Sequence, residues 1–428
     1  MKRHVPGIDM AQNVLRRNGR RVGRSSGRGY WLWGLSLALF LWVAGVQLSD
    51  GGTLIALQHQ PGDPDRPWTW SKIMQSMDQL KAVGYTAILI SPHQAACGGG
   101  FSLGYDPYDF RVFDSAHGTA DELALLVQKA HAAGLQIYAD MVLNHMCSHN
   151  FKYPRFQSEH FHHFGGINDW HDQWQLENGS LFGLEDLNQD SSYVRGELWA
   201  FLVKTNNMGF DGYRWDAAKH VPHWFWKDQI VNNVNAWGKY NFGEVYDANI
   251  GYLLSYVDTG MAVTDYNLYF TMRDSFQFAG NLAALDGAGL AAVNGAKALT
   301  FVENHDVGPP VNRILAYAFL AAYPGYPCFF KVSLDDPVIN NLVWIHNNLA
   351  DGEYQSRFKD QNTLIFQRGN RLLASISQRD QWTSHWVQTS WSNTRLHDYA
   401  GHVEDKWTNA SGWVEVWIPP MSYVMMGP

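Results

Sequence analysis

Residues 209–220 read GFDGYRWDAAKH. A glycine opens a short apolar and aromatic run, and Asp211, Arg214 and Asp216 are set through it. That is the pattern of a strand that carries polar groups out of its far end, which is where parallel barrels keep their chemistry. Arg214 and Asp216 are two apart, so on a strand they point to the same side. A guanidinium beside a carboxylate is expected to lower its pKa and keep it an anion, as a nucleophile requires. Taken alone, the pair reads more readily as a surface Arg–Asp pair.

Three further stretches change that weighing. Residues 242–247 (FGEVYD) carry Glu244; residues 301–306 (FVENHD) end in Asn304, His305 and Asp306; residues 139–145 (ADMVLNH) carry Asp140, Asn144 and His145. Each follows or ends a short apolar run. Together they offer three separated carboxylates, two histidines and an arginine. One carboxylate can attack, a second can protonate a leaving oxygen, and a third can support positive charge on a sugar ring.

In this order the four stretches resemble the four signature regions of the α-amylase family of glycoside hydrolases, family thirteen, with motifs closest to the animal-type enzymes. The resemblance spans most of residues 54–332. It implies an α/β fold: a (β/α)8 TIM barrel, a small irregular domain inserted after the third strand, and a C-terminal antiparallel β-sandwich domain. It implies Asp216 as nucleophile held by Arg214, Glu244 as general acid/base, and Asp306 as the third carboxylate. His145 and His305 would hydrogen-bond the sugar in the cleavage subsite, and Tyr105 of GYDPYDF would stack on its ring. Lys219 and His220 match the pair that contacts sugars on the reducing side of α-1,4 chains. A calcium ion would take Asn144, Asp186 in GLEDLN and the backbone carbonyl of His220, oxygen ligands suited to a hard cation. A chloride ion would take Arg214, Asn304 and Lys331, and would raise the pKa of Glu244. The paired tryptophans that animal enzymes place before the Tyr105 segment are absent, with Phe101 the nearest aromatic.

The flanking pattern agrees. Apolar strands at 54–59, 86–91, 136–141, 210–215, 241–245, 261–264, 298–302 and 328–331 alternate with amphipathic helices, which predicts a parallel sheet of eight strands. One helix is expected over 71–83 with Ser71 as cap. Another opens on the capping box Thr119 to Glu122. The barrel takes residues 51–145 and 191–348, the inserted domain 146–190, and the β domain 349–428. The insertion is rich in histidine (His149, His160, His162, His163, His171), but the spacing fits no tetrahedral zinc set and reads as polar loop.

The first fifty residues differ in kind. Residues 1–28 are rich in Arg and Gly with a single acid, Asp9, and residues 31–46 are apolar. That is a signal peptide or an uncleaved N-terminal anchor, and the protein is expected to be secreted or extracytoplasmic. The whole chain has a formal charge of −8, and the part after residue 45 is more acidic still. This excludes nucleic acid as a partner. Of three cysteines, Cys97 and Cys147 follow successive strands and can meet. The expected function is endo-hydrolysis of α-1,4 links in starch or glycogen with retention, by a monomer without a partner protein. An exo-acting or transglycosylating relative shares the same residues. A non-catalytic glucan binder is disfavoured by the intact Asp216, Glu244 and Asp306.

Overall fold

The computed structural model describes residues 52–148 and 152–428. The N-terminal segment 1–50, with its apolar run 31–46, and His149 lie outside the described residues.

Eight short strands close on themselves: β1 (Leu54–Leu57), β2 (Ala87–Ile90), β3 (Gln136–Met141), β4 (Gly212–Trp215), β5 (Tyr240–Gly243), β6 (Ala262–Thr264), β7 (Ala298–Phe301) and β8 (Tyr326–Phe330). Each pairs in parallel with the next, and β8 returns to β1. All eight expected strands are present. The last one starts earlier and stops at Phe330, leaving Lys331 beyond it at a φ of 50°. Among the connecting helices, Ala120–Ala133 opens on the capping box of Thr119 and Glu122 and stops at Gly134. The helix expected over 71–83 is instead two, Trp70–Gln75 and Met77–Val83, interrupted at Ser76. Its cap is Thr69, not Ser71: Thr69 has the extended backbone of an N-cap and accepts from the Lys72 N–H.

The period of two along each strand decides where the chemistry lies. Inward residues Leu54, Ala87, Leu89, Tyr138, Phe242, Leu299, Phe301 and Cys328 plug the barrel. Outward residues such as Ile55, Ile88, Ile137, Tyr213 and Trp215 pack against the helices. Extending the inward rows two residues beyond Ala56, Tyr138, Gly212, Phe242 and Phe301 gives Gln58, Asp140, Arg214, Glu244 and Glu303. An apolar plug capped by polar side chains follows from the alternation itself. Gly212 fits this plan by its lack of a side chain. A Cβ there would stand 2.7 Å from the Tyr138 ring and from the Tyr240 carbonyl oxygen.

Between β3 and the helix Ser192–Asn207 the chain runs through short pieces, including the helix Gln173–Asn178. The residue pair His145–Met146 bonds antiparallel to Glu185–Asp186, which ties the insertion to the end of β3. A disulfide joins Cys97 to Cys147, and Cys328 is free and buried. The insertion's histidines have separate partners: His160 stacks on Tyr193, His162 pairs with Asp186, and His163 lies by Ser158. Among the described residues no group of three His, Cys, Asp or Glu side chains is placed to hold a metal ion.

After the helix Pro337–Leu349 the chain turns to antiparallel strands: β9 (Tyr354–Lys359), β10 (Thr363–Arg368), β11 (Leu372–Ser377), β12 (Thr383–Gln388), β13 (Arg395–Asp398), β14 (Lys406–Trp407), β15 (Trp413–Ile418) and β16 (Ser422–Gly427). Six form one sheet in the order β9-β10-β11-β16-β13-β14, and β12 and β15 form a two-stranded ribbon. Leu364, Phe366, Leu372, Ala374, Ile376 and Met425 belong to the barrel's outer core. Their alternates Ile365, Leu373, Val424 and Met426 pack with Val387, Val414, Val416 and Ile418 of the ribbon. The sheet is therefore a wall buried on both faces, with the ribbon as the outer layer. Among the described residues no helix is long and apolar enough to cross a membrane.

Candidate active site

Arg214 is the hub. Its Nη1 donates to Asp140 at 2.7 and 2.9 Å and to Asp216 Oδ1 at 3.0 Å, and its Nη2 stands 3.0 Å from Glu244 Oε2. The pairing register explains the first contact, since Asp140 lies directly beside Arg214 across β3 and β4. Asp216 follows the end of β4, where Ala217 takes a left-handed backbone and its N–H donates to Glu244 Oε2 at 3.0 Å. Tyr266 donates to the other Glu244 oxygen at 3.3 Å and itself accepts from Asn304 at 3.0 Å. Asp306 shares a hydrogen bond with Glu244.

A second layer surrounds these carboxylates. The Tyr105 ring lies flat on His305, with centroids 4.6 Å apart, and its hydroxyl donates to Asp140 at 2.6 Å. Gln58 Nε2 donates to the Tyr105 hydroxyl at 2.8 Å and lies 3.1 Å from His305 Nδ1. His145 reaches the Tyr105 carbonyl oxygen at 2.8 Å. Burial pushes His145 and His220 down to about 4 and His305 to about 3, so all three imidazoles are neutral at pH 7.

The electrostatics correct one expectation. Arg214 does not hold Asp216 below the usual carboxylate range; burial raises Asp216 well above it, and the charges of Glu244 and Asp140 add to the rise. The physical reason is burial, which outweighs the pull of a guanidinium that Asp216 shares with Asp140 and Glu244. Burial also pushes Glu244 up, but Arg214, then His305 and the Ala217 N–H, bring it down to about 2. Burial and then the Glu244 charge raise Asp306 to about 7. The four acids titrate as one unit that keeps a proton near neutrality, with the negative charge drawn toward Glu244.

The site opens into a cleft of about 570 Å³ lined by Tyr105, His145, Asp216, Glu244, His305 and Asp306 on the barrel side. Trp170, Leu181 and Phe182 of the insertion form the opposite wall, beside Lys219, His220 and Tyr246. Lys219 Nζ donates to the Tyr246 carbonyl at 2.9 Å, and His220 Nδ1 lies 3.2 Å from the Leu176 carbonyl, which locks the turn after β4 to the insertion. Every residue expected to bind or cleave a sugar thus lines this cleft or contacts a group that does. Gln58, Tyr266, Trp170 and Phe182 were not among the expected site residues, and Asp140 was singled out in its motif without a role. Gln58 was within reach of the strand alternation; the insertion aromatics carried no signal.

The two ion expectations fare differently. Asn144 and Asp186 come together through the short strand pair, with the Leu187 N–H donating to the Asn144 carbonyl at 3.0 Å. Asn144 Oδ1 and Asp186 Oδ1 are both buried without a hydrogen-bond partner, the state a cation ligand would relieve. In the set expected for chloride, Arg214 pairs with three carboxylates, Asn304 donates to Tyr266, and Lys331 Nζ stands 3.4 Å from Asp63 Oδ2. Lys331 follows the end of β8 with a left-handed backbone.

Comparison with known proteins adds independent findings. Residues 58–308 match the family model "Alpha amylase, catalytic domain", and residues 372–426 match "Alpha-amylase C-terminal". The chain is 32% identical over 372 residues to a "Beta/alpha-amylase" of Paenibacillus polymyxa, covering 73% of this chain but 30% of that relative. It is 26% identical over 398 residues to an "Alpha-amylase" of Aeromonas hydrophila, covering 76% of this chain and 85% of that one. In fold it resembles the crystal structure of an α-amylase from Geobacillus thermoleovorans, with a TM-score of 0.76 at 21% identity over 88% of this chain and 98% of that one.

Proposed function

This chain belongs to the α-amylase family of glycoside hydrolases, and on that premise we propose that it cleaves internal α-1,4 links of starch, glycogen and related glucans with retention of configuration. The observation that carries the reading is Arg214, which holds Asp140, Asp216 and Glu244 together at the mouth of the barrel beside Asp306. A shared guanidinium keeps Asp216 and Glu244 close, which suits the roughly 5–5.5 Å of a retaining pair better than the wider gap of an inverting one.

In this reading a glucosyl ring enters over Tyr105. Glu244 protonates the glycosidic oxygen while Asp216 attacks the anomeric carbon, and the glycosyl-enzyme is then hydrolysed by water that Glu244 deprotonates. Before the first step the proton must sit on Glu244 and the charge on Asp216. The hydrogen bond between Glu244 and Asp306 provides the route for that proton. Asp306, His145 and His305 hold the ring's hydroxyls, and Lys219 and His220 meet the sugars beyond the cut.

A calcium ion fits Asn144 and Asp186, whose orphaned oxygens would ligate it together with the His220 carbonyl. Its role would be structural, joining the insertion to the barrel. The chain is proposed to work outside the cytoplasm as a monomer: residues 1–46 have the composition of an export signal or anchor, and the Cys97–Cys147 disulfide suits an oxidising compartment. Fractionation of expressing cells tests this, and activity confined to the cytosol would count against it.

The test of the function is release of reducing ends from soluble starch by the full chain, beside Asp216→Asn. Turnover that falls at least ~10³-fold in the variant is expected; equal turnover removes Asp216 from the mechanism. A chelator is expected to lower the melting temperature, and an unchanged melting temperature would sink the calcium site.

A further inference from the structure

The β12–β15 ribbon presents an aromatic strip that the fold does not use. Its inward residues, Val387, Val414, Val416 and Ile418, complete the C-terminal core. Its outward residues are Ser384, Trp386 and Gln388 on β12 and Trp413, Glu415 and Trp417 on β15, and they face one another in register: Ser384 with Trp417, Trp386 with Glu415, Gln388 with Trp413. Trp386 is 60% exposed, Trp413 40% and Trp417 39%. At the Trp417 end the strip runs into an open hollow lined by Trp382, His402, Glu404 and Lys406, where Trp382 is 53% exposed. Among the described residues none of these four indoles packs on another ring, and none of their N–H groups donates within the protein. Their exposure costs hydration without helping the core.

The strip's size and charge restrict what covers it. The four indoles together offer at most ~500 Å² of exposed ring surface, short of the ~800 Å² per side that a stable protein interface takes. Glu404, Lys406 and Glu415 leave it with no cationic run for a nucleic acid or an anionic membrane. A neutral, polyhydroxylated chain matches: its apolar ring faces stack on indoles, and its hydroxyls meet Ser384, Gln388, Glu415 and the indole N–H groups. Trp413 and Trp417 stand ~13 Å apart along β15 with Trp386 between them on the neighbouring strand, the reach of a short oligosaccharide. Two-stranded ribbons twist strongly, so the rings are presented at successive angles, which suits a curving chain better than a flat one.

We propose that this face is a second carbohydrate-binding site, outside the catalytic cleft, that takes an α-linked glucan chain and holds the enzyme on polymeric or granular substrate. Its ligand class rests on the function proposed above; its existence rests on the strip. The two separate in one experiment with the full chain and a Trp386→Ala/Trp417→Ala variant, compared for adsorption to granular starch, adsorption to cellulose and hydrolysis of a soluble maltooligosaccharide too short to reach both sites. The expected result is roughly tenfold weaker starch adsorption in the variant, with short-substrate hydrolysis within about twofold of the parent. Equal adsorption by the two proteins, no starch adsorption by the parent, or equal adsorption to cellulose would each overturn the proposal. Tryptophan-dependent starch adsorption without hydrolysis by the parent would uphold the site while removing the catalytic reading. Circular dichroism of the variant guards against misfolding, and Ser384→Ala/Gln388→Ala provides a second, milder probe, expected to weaken adsorption in the same direction.

Discussion

Gln58 holds Tyr105 and His305 with one amide nitrogen, and Tyr105 in turn donates to Asp140, the partner of Arg214. Gln58→Leu is therefore expected to lower kcat by roughly 10- to 100-fold through misplacement of the ring, while costing only about 1 kcal/mol of stability. An unchanged kcat would show that Tyr105 needs no such support. The proton economy makes a second prediction. Asp306 is raised to about 7 and shares its hydrogen bond with Glu244, so this pair loses its shared proton as pH rises through about 7. kcat should fall on that side, and a kcat flat from pH 6 to 9 would contradict the assignment. The motifs made Asp216, Glu244 and Asp306 legible from sequence. They did not reveal Gln58, because its signal is positional, two residues beyond Ala56 on an inward row. Nor did they reveal that Arg214 is shared, because a two-residue spacing names one partner and the neighbouring strand supplies another.

At the scale of elements, the loops after β2 and β3 carry Tyr105 and His145, and the Cys97–Cys147 bond fastens one to the other. Replacing both cysteines by serine is expected to cost about 2–4 kcal/mol of stability in chemical denaturation. The folded variant should also lose activity, since both loops furnish the cleft. Equal stability and activity would leave the bond without a role. The strands were legible because eight short apolar runs with intervening helices leave little choice of topology. The first helix was misjudged at its start and its continuity: Ser71 and Thr69 are both competent caps, and only backbone geometry selects Thr69. The insertion stayed opaque because its order comes from a two-residue strand pair and contacts across the cleft, which leave no periodicity in the sequence.

For the whole molecule, burial has consequences for acid stability. His93, His117 and His346 lie away from the carboxylates, and burial lowers them to about 3, about 4 and about 4. A histidine whose folded pKa is lowered binds its proton more readily when unfolded, so its contribution is complete above about pH 6.5 and is lost as pH falls below it. At pH 5 each costs up to ~2 kcal/mol relative to pH 7. The raised carboxylates Asp216 and Asp306 act in the opposite sense over the same range, so the histidine contribution is read by substitution. Replacing His93, sandwiched among Phe113, Phe201 and Phe210, by leucine should shift the melting temperature in the variant's favour, relative to the parent, as pH falls from 6.5 to 5. A difference between the two proteins that stays constant across that range would refute the attribution.

The central claim is that Asp216 attacks the anomeric carbon while Glu244 handles the proton. The most direct measurement is mass spectrometry of the full chain after reaction with a fluorinated α-maltosyl fluoride that forms the glycosyl-enzyme faster than water releases it. One glycosyl adduct on the peptide that carries Asp216, absent from Asp216→Asn, is the predicted result. An adduct on Glu244 or Asp306, or turnover to product of inverted configuration with no adduct, would contradict it.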